Sequence, residues 1–236
     1  MSILYFIRHG QASFGEKDYD QLSPRGILQA RILGNHLAGI QMTFHEIYSG
    51  NMKRQQQTAE EVRAAFASTN VAVPALTVDP AFDEYDAFGI WEHHTRRMLE
   101  EKTLTPEDMR QAHADKRKFQ NIFKRVMMEW IAGEHDFPGD ERWCDFVERV
   151  QQGVMSLAKS SEPDKSIAVF SSGGPVSIIM KLALSLTDAK TMEISWQIMN
   201  ASVTRFYVSS RGVFLSGFND ITHLALQRDA NLLTFR

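Results

Sequence analysis

IAVFSSGGPVSIIM, residues 167–180, runs apolar through Phe170, breaks into two serines, two glycines and a proline, and then turns apolar again. Ile167, Ala168, Val169 and Phe170 read as a strand covered on both faces, because neither set of alternate positions is polar. Residues 176–186 have the length and spacing of a helix. The serine-glycine bend is therefore a strand-to-helix corner. In open α/β sheets such corners lie where ligands bind, and the amides that open the helix attract anions. Three uses of the bend stay open at this point: a nucleophilic serine, an anion cradle, or a turn.

The rest of the chain extends this pattern. Residues 3–8 read as a strand, 24–37 as a helix, 46–49 as a short strand, 53–66 as a helix and 75–78 as a strand. That βαβα alternation predicts an α/β fold with a mainly parallel central sheet flanked by helices. After Phe82 the sequence becomes polar and helix-rich, and Thr105-Pro106-Glu107-Asp108 supplies a cap, a proline at the first helical position and early acids. Met109, Ala112, Phe119, Phe123, Val126, Met127 and Trp130 then fall near one helical face. Residues 133–139 read as a loop, and Trp143, Phe146, Val147, Val150, Val154 and Leu157 mark another amphipathic helix. About residues 85–140 thus read as a helical insertion over the sheet, within a single domain of residues 1–236. Near the end, 202–208 and 213–218 flank SSRG as a hairpin.

Composition narrows the function classes. The 236 residues are 43% hydrophobic and 23% charged, with no apolar run of the roughly 18 residues that a membrane helix needs. The N-terminal MSILYFIRHG lacks the features of a signal peptide and reads as a first strand. The single cysteine, Cys144, lies among helical apolar positions and reads as packing; a chain without an internal disulfide suits a reducing cytoplasm. A net charge of −3 with scattered basic residues gives no argument for nucleic acid. An anionic substrate would have to be attracted by local arginines.

The densest chemical signal is FIRHGQA, in which Arg8, His9 and Gly10 stand where the first strand ends. A histidine there can be presented to a bound group, and glycine allows close backbone approach. LSPRGILQA contributes Ser23, Gly26, Gln29 and Ala30. YSGNMKRQQQTA places Arg54 on the opening turn of the next helix. Phe82-Asp83-Glu84 ends the third strand in this reading, with Glu84 either a proton donor or a surface acid. WEHHTRR carries His93, His94, Arg96 and Arg97, which read either as a site for a second anionic group or as a solvated face. No H-x-x-x-H or cysteine set argues for a metal.

Taken together, these segments resemble the histidine phosphatase superfamily, also called phosphoglycerate mutase-like. The likeness runs from Leu4 to about Leu224, where ND-x-x-HL at Asn219, Asp220, His223 and Leu224 is similar to the family's C-terminal signature. RHG followed by R-x-x-QTA at this distance is a specific combination. The resemblance implies a three-layer α/β sandwich and transfer of a phosphoryl group through a phosphohistidine. It makes His9 the nucleophile, Arg8 and Arg54 the phosphoryl ligands and Glu84 the general acid, with no cofactor or metal. A neutral imidazole attacks phosphorus without prior deprotonation, and two guanidiniums match the equatorial oxygens of the transition state. The resemblance also implies a small phosphorylated molecule or phosphoprotein as partner, and it allows a homodimer.

One departure bears on the opening bend. The family's corresponding corner carries a second histidine just before the glycines, and here Ser172 precedes Gly173. A hydroxyl donates a hydrogen bond without a charge, and the charge-assisted bond is roughly twice as strong. Ser172 therefore reads as a weaker phosphate contact, as a helix cap, or as both. Three functions follow: a phosphomonoesterase of reduced power, a non-catalytic relative that binds a phosphorylated ligand, and a mutase. The short RHGQASFGEKDYDQLSPRG segment lacks the extended W- and N-rich form associated with glycolytic mutases.

Overall fold

The computed structural model describes residues 1–13, 19–67, 69, 71–160, 164–209 and 211–235. The chain forms two compact units, Met1–Glu84 with Arg149–Arg236, and Tyr85–Glu148.

The first unit is built on a six-stranded sheet. β1 (Ser2–Arg8) is followed by α1 (Pro24–Gly39), β2 (Glu46–Ser49), α2 (Lys53–Phe66) and β3 (Leu76–Val78). α3 (Ala87–Glu100), α4 (Pro106–Ala114) and α5 (Lys116–Ala132) belong to the second unit, and α6 (Trp143–Ser160) carries the boundary between the units. The chain then forms β4 (Ser166–Ser171), α7 (Gly173–Leu184), α8 (Asp188–Ser195), the hairpin β5 (Val203–Ser209) and β6 (Gly212–Asp220), and α9 (Thr222–Ala225). The sheet order is β3-β2-β4-β1-β5-β6, and only the two pairings made by β5 are antiparallel. The expected mainly parallel sheet flanked by helices is thus the observed one. Of the expected SSRG turn, Ser210 lies outside the described residues, as do residues 14–18.

Both faces of the central strands are buried, which is why their sequences are apolar at consecutive positions. On one face Tyr5, Ile7, Ala168 and Phe170 pack with Leu33, Leu37, Val62 and Phe66 from α1 and α2. The two helices cross closely at Gly34, where a Cβ would lie 2.8 Å from the Ala65 Cβ. On the other face Phe6 meets Phe82 and Phe206 edge-on at 5.7 and 6.1 Å. α6 packs there through Gly153, whose missing side chain admits the Phe82 ring. α1 starts at Pro24 as expected, and the Ser23 hydroxyl caps it by accepting from the Gly26 amide at 3.1 Å. Gly10 and Gly26 are glycines because a Cβ on Gly10 would stand 2.4 Å from the Gly26 carbonyl oxygen and one on Gly26 would stand 2.1 Å from the Gln11 carbonyl oxygen. His223 sits buried near the C-terminus with its ring 5.9 Å from that of His36. Burial above all, and then His36, pushes its pKa down to about 4.

In the second unit the single amphipathic stretch expected over 109–130 is two helices. Asp115 ends α4 and caps α5, its side chain accepting from the Arg117 amide at 2.7 Å. α4 itself opens with the expected capping box of Thr105 and Asp108. Tyr85, Trp130, Trp143 and Phe146 form the aromatic centre of the unit. Cys144 is exposed rather than packed, because the apolar stripe of α6 runs through Trp143, Phe146 and Val150 and leaves Cys144 on the opposite side.

Candidate active site

β1 and β4 run parallel with Arg8 beside Ser171, so His9 and Ser172 leave the sheet side by side at the same edge. The His9 amide donates to the Ser171 carbonyl at 2.8 Å. Its own carbonyl accepts from the Ala201 amide at 3.2 Å and from Asn200 Nδ2 at 3.1 Å. The backbone of His9 is thus clamped between β4 and the turn that precedes β5. Its Nδ1 lies 2.7 Å from the Gly10 carbonyl oxygen, which only accepts, so Nδ1 carries the proton and Nε2 keeps its lone pair. Arg54 Nε donates to that lone pair at 3.2 Å. Burial first, and then the charges of Arg54 and Arg8, hold the His9 pKa well below the usual 6.5. The result is a neutral imidazole with one nucleophilic nitrogen.

The two arginines are held independently of each other. Arg54, on the first turn of α2, is 6% exposed, and its second anchor is Asp20 Oδ1, 2.6 Å from Nη1. Asp20 Oδ2 in turn accepts from the Lys53 amide at 2.9 Å, which ties the carboxylate to the positive end of α2. Arg8 Nη1 donates to the Ile198 carbonyl. Gly173 leaves room beside Arg8: a Cβ there would sit 2.9 Å from the Ser195 carbonyl oxygen and 3.9 Å from the Arg8 guanidinium carbon.

The serine-glycine bend between β4 and α7 lies at the same sheet edge as His9. Ser172 occupies the N-cap position of α7 but makes no side-chain cap bond. Its Oγ accepts instead from Gln55 Nε2 at 2.9 Å. The cap reading therefore holds for position and not for the hydroxyl. Glu84 does not end a strand, because β3 stops at Val78 and a 3₁₀ turn, Pro80–Phe82, intervenes, with Pro80 at its start and Asp79 capping it. That turn delivers Glu84 to the same corner, where its Oε2 accepts from the Gly174 amide at 3.0 Å. The amide nearest the glycines thus already has an acidic acceptor. Asp83 beside it is held above the usual carboxylate range by burial, against the lowering effects of the Asn51 amide, Arg149 and Arg54.

The four residues of WEHHTRR belong to the second unit and are paired within it. His93 Nδ1 lies 2.7 Å from Asp140 Oδ2, and buried His94 lies 3.5 Å from Glu129. Arg96 bonds Glu92 at 2.6 Å, and Arg97 bonds Glu101 and Glu129. Carboxylates therefore neutralise the cluster within its own unit. Among the described residues no group of histidine, cysteine, aspartate and glutamate is arranged to hold a metal, and no helix is long and apolar enough to cross a membrane.

The sequence model of the histidine phosphatase superfamily (branch 1) matches residues 4–221. The chain belongs to that superfamily. Its fold is similar to that of YhfR from Bacillus stearothermophilus, with a TM-score of 0.67 and 18% identity over 95% of this chain and 100% of that one. It is also similar to phosphoglycerate mutase from Bacillus anthracis str. Sterne, with a TM-score of 0.65 and 16% identity over 97% of each chain. A phosphoserine phosphatase from Entamoeba histolytica, solved with 3-phosphoglyceric acid, gives 0.63 and 22% identity over 95% of this chain and 100% of the other. At such identities the likeness shows the fold. Comparison with curated protein sequences returns no significant match.

In this member of the histidine phosphatase superfamily the fold brings together Arg8, His9, Arg54, Glu84, Ser172 and Gly173, all singled out by the sequence, and adds Asp20, Gln55 and Asn200, which it does not single out. Gln55 fills an unspecified position of R-x-x-QTA. Asp20 carries a weak signal, an acid two residues before Leu22 of LSP, whose partner at Arg54 only the fold reveals.

Proposed function

We propose that the protein is a phosphomonoester hydrolase that works through a phosphohistidine on His9. The observation that carries this reading is the neutral His9, with its Nε2 lone pair facing Arg54 and its Nδ1 proton on the Gly10 carbonyl. When a phosphoryl group arrives, Arg54 exchanges the imidazole lone pair for a phosphoryl oxygen, and Arg8 takes a second oxygen. Nε2 then attacks phosphorus in line, the P–O ester bond breaks, and Glu84 gives its proton to the leaving alkoxide. The phosphorylated ring is cationic, and the Nδ1–H bond to the Gly10 carbonyl stabilises that charge. In the second half a water attacks phosphorus, loses its proton to Glu84, and breaks the N–P bond, which returns neutral His9 and orthophosphate. The test is turnover of a panel of phosphomonoesters by wild type against His9→Ala.

Two results are expected in that assay. The acid-side fall in kcat/KM should lie well below pH 6.5, because burial and the two arginines keep the nucleophile neutral there. A fall centred at or above that value, moving with substitutions at Arg54, would contradict the neutral resting state. Glu84→Gln should slow alkyl phosphates far more than activated aryl phosphates, since only a poor leaving group needs the proton. Equal losses on both would remove Glu84 from the donor role.

A second reading, a relative that binds a phosphorylated ligand without turning it over, draws on Ser172, an uncharged donor at the corner beside His9. It shares the anion site and predicts orthophosphate affinity with no turnover. The mutase reading demands retention of a bisphosphorylated intermediate and ranks third.

A further inference from the structure

We infer that Gln55 is a positioning residue that fixes Ser172 as a one-way hydrogen-bond donor toward the phosphoryl group, an inference that rests on the phosphomonoesterase reading. Gln55 and Ser172 are both fully buried. The Gln55 amide nitrogen donates at 3.1 Å to the Phe82 carbonyl and at 2.9 Å to Ser172 Oγ. The Phe82 carbonyl only accepts and also receives the Ser171 hydroxyl at 2.7 Å, so the amide cannot be turned end for end without setting two acceptors against each other. Ser172 Oγ therefore accepts a hydrogen bond from Gln55 and must direct its own proton elsewhere. No described residue accepts it.

The location gives that proton its use. Ser172 stands beside His9 across the β1–β4 pair, and the residue next to Gln55 is Arg54, which contacts His9 Nε2. One turn of α2 thus sends adjacent side chains to the nucleophile and to the corner. A buried hydroxyl proton with no acceptor among the described residues is the group a ligand oxygen would satisfy. The other end of the amide supports the same assignment. Gln55 Oε1 is buried without a hydrogen-bond partner among the described residues, and it is accommodated because Gly50 has no side chain: a Cβ there would lie 2.0 Å away. A residue present only to fill space would be apolar, whereas glutamine is retained here for its two N–H donors.

The test is a double-mutant cycle on kcat and KM with an activated aryl phosphate, using Gln55→Leu, Ser172→Ala and both together, with Gln55→Met as a second variant of matched length. Each single change is expected to lower kcat by about 10- to 100-fold with little change in KM. The double variant should be no worse than the weaker single one, because Ser172 without Gln55 has already lost its direction. Losses that multiply, or a Gln55 variant with lowered melting temperature and unchanged kcat, would overturn the inference. If wild type turns over no phosphomonoester, the hydrolase reading fails, and the same cycle is read by calorimetry with orthophosphate. Non-additive loss of phosphate affinity would then support the positioning role, and unchanged affinity in Gln55→Leu and Gln55→Met would refute it.

Discussion

Replacing His9 by alanine is expected to lower kcat/KM on phosphomonoesters by about 10⁴-fold or more, the scale of nucleophile deletions in enzymes that use a covalent intermediate. Orthophosphate binding should remain measurable in the same variant. The two arginines do not depend on His9 for their placement: Arg8 is anchored to the Ile198 carbonyl, and Arg54 keeps its bond to Asp20. The separation of binding from turnover is therefore the informative outcome. A His9→Ala protein that loses both would indicate a collapsed site, which the melting temperature would reveal. One that keeps turnover would place the chemistry elsewhere.

Arg54→Ala should cost about 10² to 10³ in kcat/KM, the effect of removing one preorganised group from the transferring oxygens. Its second signature is in the pH profile. Arg54 is the larger of the two charge effects that depress the His9 pKa, after burial, so its removal lets that pKa rise. The neutral nucleophile is then lost at a higher pH, and the acid limb of kcat/KM moves upward. Arg54→Lys retains a charge but neither the planar fork nor the Nε–H that meets His9 Nε2, so it should recover the pH position better than the rate. Measurement of kcat/KM across pH for the three proteins separates these effects. An acid limb that stays in place in Arg54→Ala would mean that Arg54 does not act on His9.

The parts of this architecture that were legible in sequence are those with a local physical cause. Buried strands announce themselves as apolar runs, as at Ile167 to Phe170, and α1 and α4 through Ser23-Pro24 and Thr105-Pro106. His9 and Arg54 were legible because RHG and R-x-x-QTA tie their chemistry to a strand end and a helix start. What was hidden depends on contacts between distant segments. The break at Asp115 lies inside an unbroken apolar periodicity, and the cap that makes it is a side-chain bond invisible to spacing. Cys144 looked like packing because its neighbours are apolar, yet Trp143 and Phe146 set the buried face. Gln55 offered no signal at all, since its partners at Phe82 and Ser172 are 27 and 117 residues away along the chain.

The central claim is that the phosphoryl group passes through His9 itself. It is tested most directly by mixing wild-type protein with an activated aryl phosphate, quenching with alkali within the first turnover, and mapping phosphate by mass spectrometry under conditions that preserve phosphohistidine. The account predicts one phosphate on the peptide that contains His9, localised to that residue, absent from His9→Ala and lost on acid treatment. Rapid turnover with no phosphate on His9, or phosphate on Ser172, would contradict it.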